Sequence, residues 1–173
     1  MFRLVAALAA VCALTVGCGD DNDTTGPSNP PVVFSALLRP SNEVPAVTNA
    51  ESGGSGAVQI QFDLTRDAGG AVTAATATFY FQLTGFPSGT TTVGAHIHPG
   101  PAGVNGGVIV NTGLTAAAAL PLSDGSAETT IRGIAVDAAI AQAIIANPGA
   151  FYFNVHSPLN PGGFARGQLT RVQ

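Results

Sequence analysis

Apolar and polar residues alternate along several stretches of the chain after its first thirty residues. In AVQIQFDLT, every second residue from Val58 to Leu64 is apolar, and glutamine or aspartate lies between them. VTAATATFYFQLTG, at 72–85, repeats this pattern with small and aromatic residues. Successive side chains of a strand point to opposite faces of its sheet, so a period of two predicts strands with one buried face.

The same reasoning predicts further strands, separated by turns rich in glycine, proline and asparagine. Six are predicted besides the two above: Val32–Leu38, Thr92–His98, Val108–Thr112, Ala127–Ile134, Phe151–His156 and Phe164–Arg171. About eight short strands at this spacing are typical of an antiparallel β-sandwich. We therefore predict an all-β fold of Greek-key type, either superoxide-dismutase-like or immunoglobulin-like.

One stretch, VDAAIAQAIIANPG, has a helical rather than a strand period. Ile140, Ile144 and Ile145 fall on one face of a helix, and Asp137 suits its first turn. The following Asn-Pro-Gly predicts the end of the helix. We expect one short helix packed over an end of the sandwich.

The N-terminal stretch MFRLVAALAAVCALTVGC resembles a bacterial lipoprotein signal, with Arg3, an apolar run and a small residue before Cys18. The resemblance implies that Cys18 is lipidated and becomes the new N-terminus. We expect a signal peptide at 1–17, a polar disordered tether at 18–31 and a domain at 32–173. The alternative is an ordinary cleaved signal with a nearby cysteine. A lipid anchor would hold the protein at the bacterial envelope, facing the periplasm or exposed at the surface.

Charge and cysteine content narrow the classes of function. The net charge is −4 and only six residues are lysine or arginine, which argues against binding nucleic acid because that requires clustered cations. The two cysteines, Cys12 and Cys18, both precede the predicted domain. No disulfide can therefore form within the domain, and its stability must come from the sheet core, with a metal as a conceivable aid.

The chain has three histidines, and all three fall on one kind of strand face. His96 and His98 are two apart in GAHIHPGPAG, on the face opposite Ala95 and Ile97. His156 ends FYFNVH, on the face opposite Val155. If the two strands meet, three imidazoles converge and form a possible first shell for Zn²⁺ or copper. The alternative is that each histidine braces a turn through hydrogen bonds.

Three motifs together resemble the CHRD domain, a family first noted in chordin and found in bacterial secreted proteins. They are RPSNEVPAVTNAESGGSGAVQIQFD, AHIHPGPAGVNGGVIV and FYFNVHSPLNPGGFARGQL, and they span roughly 34 to 171. The resemblance implies an extracellular β-sandwich and no settled biochemical activity. Glu43, within the first motif, is interpreted as the partner of Arg166 or Arg39 in a structural salt bridge.

A weaker resemblance links the histidine pattern to copper/zinc superoxide dismutases. It implies that His96, His98 and His156 are copper ligands and that Arg166 attracts anions at the mouth of the site. The chain lacks a fourth histidine, an evident zinc loop and the usual disulfide of those enzymes.

The resulting hypothesis is a non-catalytic, envelope-anchored binding module with a three-histidine copper or zinc site. A copper-dependent dismutase-like redox enzyme is the alternative. The expected partners are the membrane, through the lipid, and an extracellular protein.

Overall fold

The computed structural model describes residues 29–173 of the chain. The predicted signal peptide, Cys18 and most of the tether lie outside these residues. The described part contains eleven strands and one α-helix. In chain order they are β1 Val32–Leu38, β2 Ser55–Arg66, β3 Val72–Thr84, β4 Thr90–Thr92, β5 Gly94–Pro99, β6 Val110–Asn111, β7 Leu120–Leu122, β8 Ala127–Val136, α1 Ala138–Ala146, β9 Phe151–His156, β10 Ala165–Gln168 and β11 Thr170–Arg171.

The larger sheet has five antiparallel strands in the order β11-β1-β2-β3-β8. Its strands follow the predicted alternation closely. On β2, Val58, Ile60 and Phe62 are buried, whereas Gln59 and Asp63 between and beyond them are exposed. One face of this sheet therefore belongs to the core and the other faces solvent.

The second sheet has four antiparallel strands in the order β10-β9-β5-β6. Ile97 of β5 and Phe153 of β9 have no exposed surface and face the larger sheet. Between the sheets, the ring of Phe153 packs against Phe79 at 5.8 Å and against Phe81 at 5.5 Å, centroid to centroid. The prediction of an all-β sandwich is confirmed, because one apolar core joins the two sheets.

Helix α1 follows β8 and packs against β3. The Asp137 side chain caps it by accepting hydrogen bonds from the backbone N–H groups of Ala139 and Ile140, at 2.8 and 3.1 Å. Ile144 is completely buried. The helical period therefore predicted this element correctly.

Three predicted strands differ from those in the structure. The strand predicted at Thr92–His98 is two strands, and the first of them, β4, pairs with β7 in a separate two-stranded sheet. The strand at Val108–Thr112 is reduced to β6. The strand at Phe164–Arg171 is divided into β10 and β11, which belong to different sheets. Alternation indicates which side of a strand is buried but not which strand it pairs with, so it could not reveal these divisions.

Among residues 29–173, no helix has the length and apolar character needed to cross a membrane.

Candidate metal centre

The outer face of the four-stranded sheet is polar where β5 and β9 pair. The register places Gly94 opposite His156, His96 opposite Asn154, and His98 opposite Tyr152. Residues paired in this way share a face, so one surface of the two strands carries all three histidines. The prediction that the histidines face away from the core is confirmed, and the strands that carry them are neighbours.

The three imidazoles converge. Their ring centroids are 4.8 Å apart for His96 and His156, and 5.7 Å apart for each of the other two pairs. Each ring offers one nitrogen to a common group, and these nitrogens lie within 4.8 Å of one another. No other group of three or more metal-ligating side chains was found among the described residues.

Two loop carbonyls orient two of the rings. His98 Nδ1 lies 2.9 Å from the carbonyl oxygen of Gly106, and His156 Nδ1 lies 3.1 Å from that of Pro161. A carbonyl only accepts hydrogen bonds, so each Nδ1 donates its hydrogen in the neutral ring and Nε2 keeps a free lone pair. Both Nε2 atoms and His96 Nδ1 are buried without a hydrogen-bond partner.

Gly94 gives two of the rings room to approach. A Cβ atom at this position would lie 3.0 Å from Cε1 of His96 and 3.5 Å from Cδ2 of His156. An added Cβ would therefore crowd His96 and just touch His156. The first residue of GAHIH therefore belongs to the site, although it offers no ligand.

Burial keeps the three rings neutral at physiological pH. It lowers the pKa of His96 to about 4, and the neighbouring charges of His156 and His98 act in the same direction. Burial also lowers the pKa of His98 and of His156, against the opposing effect of their hydrogen bonds to loop carbonyls. Neutral imidazole is the form that binds metal ions.

The cluster fits a copper or zinc ion. Nitrogens bound to Zn²⁺ at about 2.0–2.1 Å in tetrahedral geometry are about 3.4 Å apart, so the distances between the histidine nitrogens, which are within 4.8 Å, would shorten by about 1.4 Å at most. Imidazole is a good ligand for both metals. Three protein ligands leave a fourth position for water or another ligand. His96, His98 and His156 would hold the ion, and the Gly106 and Pro161 carbonyls would fix two of them from behind.

Among the comparisons with known proteins, the one with protein-family models gives a match. The family model of the CHRD domain matches residues 34–169, which is most of the chain and nearly all of the described part. The chain belongs to the CHRD family. No curated protein and no solved structure matches it.

The structure shows how the three CHRD motifs come together. AHIH lies on β5, NVH ends β9, and the segment around Glu43 follows β1. Glu43 is only 7% exposed, and its Oε1 has no hydrogen-bond partner. Burial raises the pKa of Glu43 to about 7, although the charge of Arg166 and the amide of Asn154 oppose the rise.

Arg166 does not lie where the resemblance to dismutases places it. The side chain is 1% exposed, and its guanidinium lies 4.5 Å from the ring centroid of Tyr152. It donates hydrogen bonds to the Asn42 carbonyl at 2.6 Å and to Asn105 Oδ1 at 2.7 Å. Through these hydrogen bonds the guanidinium connects β10 to two loops. Arg166 is therefore a buried structural residue and does not lie exposed at the mouth of the site, where it could attract anions.

Most of the unsatisfied polar atoms of the CHRD domain lie in this region. Buried side-chain atoms without a partner among residues 29–173 are Glu43 Oε1, Thr92 Oγ1, His96 Nδ1, His98 Nε2, Asn154 Oδ1, His156 Nε2 and Arg166 Nη2. All but Thr92 belong to the histidine cluster or to the Glu43–Asn154–Arg166 group beside it. Native proteins satisfy almost all such atoms, so these groups are free to contact water, an ion or another ligand.

Tyr152 and Asn154 share the strand face of His156, and no role was predicted for either of them. Tyr152 stacks on His98, with centroids 5.0 Å apart and an angle of 7° between the rings. The signal in the sequence was their position, four and two residues before His156 on the same strand face.

Proposed function

We propose that this CHRD domain binds one copper or zinc ion through His96, His98 and His156. The observation that carries the proposal is the convergence of three imidazole nitrogens that are buried and lack any partner. A histidine that only braces a turn needs its bonded Nδ1, as in His98 and His156, but does not need its free nitrogen to face two others. Metal ligation accounts for both features.

Copper(II) is the stronger candidate of the two ions. For a given set of nitrogen ligands, affinity rises along the first-row divalent metals to copper and falls at zinc. Imidazole suits both ions, so the residues alone do not reverse this order. We therefore expect copper(II) to bind more tightly than Zn²⁺, with both bound at one equivalent.

Binding, rather than dismutase catalysis, is the function that the geometry supports. A dismutase-like site would use a cation near its opening to attract an anion. The arginine that the resemblance assigned to this role is buried under two loops. The envelope location belongs to the same proposal: the lipoprotein-like signal ending at Cys18 supports a domain held at the membrane by lipid.

Calorimetric titration of the metal-stripped, untagged protein tests the proposal. We expect one equivalent of Cu²⁺ or Zn²⁺ to bind, and the free energy of unfolding to rise by about 2.7 kcal/mol when free metal is 100 times Kd. His96→Ala, His98→Ala and His156→Ala should each remove most of the binding heat. Two of these residues are about sixty positions from the third, so a common loss would identify one site.

Ile97→Val is the matched control. Ile97 lies between the two histidines of β5 but faces the core and has no exposed surface. Its shortening should lower the free energy of unfolding by about 0.5–1.5 kcal/mol and leave metal binding intact. No binding at micromolar metal, or full binding by all three alanine variants, would contradict the proposal.

A further inference from the structure

Tyr152 lies against the metal-binding residue His98. The two residues are paired across β9 and β5, and their rings are nearly parallel. Tyr152 is 2% exposed, so this contact is enclosed by the protein. The stacking restricts His98 from tilting out of the plane that it occupies.

A hydrogen-bonded loop completes the contact between these two side chains. The backbone N–H of Gly106 donates to the Tyr152 hydroxyl oxygen at 3.2 Å. The carbonyl of the same glycine accepts from His98 Nδ1 at 2.9 Å. The Tyr152 side chain, the Gly106 backbone and the His98 imidazole therefore contact one another in a closed ring, and each restricts the movement of the other two.

Arg166 fixes the tyrosine in turn. Its guanidinium lies over the Tyr152 ring, 4.5 Å from the centroid, and the same ring stacks on His98. Hydrogen bonds to the Asn42 carbonyl and Asn105 Oδ1 hold the guanidinium there. Tyr152 is therefore in contact with both the arginine and the imidazole.

From this arrangement we infer that Tyr152 is a positioning residue of the metal centre, which sets the tautomer and ring orientation of His98. The inference rests on the proposed function for its consequence, because metal affinity depends on the lone pair that His98 presents. Neutral imidazole can carry its hydrogen on either nitrogen, and only the Nδ1–H form leaves Nε2 free for the ion. Tyr152 holds the N–H of Gly106, and so restrains the residue whose carbonyl selects that form.

Two variants separate the contributions of the hydroxyl and the ring. Tyr152→Phe keeps the stacking but leaves the Gly106 N–H without its acceptor. Tyr152→Leu also removes the aromatic face. Phe153→Leu, at the adjacent core position, is the matched control for a general loss of aromatic packing.

The first measurement is the ¹⁵N NMR spectrum of the histidine rings in metal-free protein. In the wild type and in Phe153→Leu, we expect His98 to be in the Nδ1–H form. In both Tyr152 variants we expect the Nε2–H form to appear.

The second measurement is the Cu²⁺ affinity by calorimetry, together with the electron paramagnetic resonance spectrum of the bound ion. Loss of such a supporting contact typically weakens metal affinity about 10-fold to 100-fold, and we expect a shifted spectrum with it.

The outcomes distinguish this inference from the proposed function. If the wild type binds neither Cu²⁺ nor Zn²⁺, the proposed function fails, and the NMR spectrum still decides whether Tyr152 positions His98. If His98 remains in the Nδ1–H form in both Tyr152 variants, the inference is overturned. It is also overturned if the wild type binds Cu²⁺ and both variants match its affinity and spectrum.

Discussion

Replacing Glu43 with glutamine should change how the stability of the metal-free protein depends on pH. The carboxyl is 7% exposed, and its pKa rises from 4.5 to about 7 because burial disfavours the charged form. Its Oε1 and the Oδ1 of Asn154 would lie 2.8 and 2.6 Å from a Cβ atom at Gly163, so both oxygens lie beside that glycine. Burial, with no partner for Oε1, therefore favours the protonated carboxyl against the opposing effects of Arg166 and Asn154.

The sign follows from proton binding in the two states. Between about pH 4.5 and 7 the folded protein holds this proton and the unfolded chain releases it, so the stabilisation is complete below 4.5 and is lost as pH rises through 7. Each pKa unit corresponds to about 1.4 kcal/mol, which gives a loss of roughly 3 kcal/mol. The histidines have the opposite slope, because their lowered pKa values make the unfolded chain bind more protons below about pH 6.5.

The assay is urea unfolding of wild type and Glu43→Gln at a series of pH values from about 4 to 8. Both proteins contain the same histidines, so the difference between their free energies of unfolding isolates Glu43. We expect the wild type to lose about 3 kcal/mol relative to the variant across this range. Glu128→Gln, at an exposed carboxyl on β8, is the matched control for replacing a carboxyl with an amide. A difference for Glu43→Gln that stays constant across this pH range, within the error of linear extrapolation, would refute the reasoning.

Two further predictions concern single residues. In the metal-free protein, His98→Leu should lower the free energy of unfolding by about 1–3 kcal/mol because the Gly106 carbonyl loses its donor. His96→Leu should leave that free energy unchanged or raise it, because it removes a buried nitrogen with no partner. Urea unfolding of both variants measures the difference, and an equal loss at the two positions would count against the prediction. Cys18→Ser should move the protein from the membrane fraction to the soluble fraction after signal cleavage, and a serine variant that still sediments with membranes would rule out the lipid anchor.

The position of the histidines could be predicted from the sequence as far as their face. Alternation in GAHIH and FYFNVH placed the three side chains opposite Ile97 and Val155, and the structure buries both of those residues in the core. That β5 and β9 are neighbours is a property of the chain's long-range pairing, which local periodicity does not contain. The convergence of the rings was therefore predicted only on the condition that the two strands meet, and the pairing of β5 with β9 meets that condition.

The role of Arg166 could not be predicted in the same way. An arginine after a glycine-rich turn is equally compatible with an exposed guanidinium and with a buried one. What decides between them is the packing of loops around Asn42 and Asn105 over β10, and those residues are more than sixty positions away from Arg166. The loops' own sequences indicate turns, but not what the turns cover.

The cost of the polar cluster is itself an argument for binding. A buried polar atom that stays without any partner costs about 1–3 kcal/mol, and six atoms of the histidine cluster and its Glu43 neighbourhood have no partner within the protein. A sandwich could avoid this cost with apolar residues or exposed loops at the same positions. Instead, Gly94 leaves room for two rings and two loop carbonyls orient the free nitrogens toward one another. An ion bound as proposed would satisfy three of the six atoms at once.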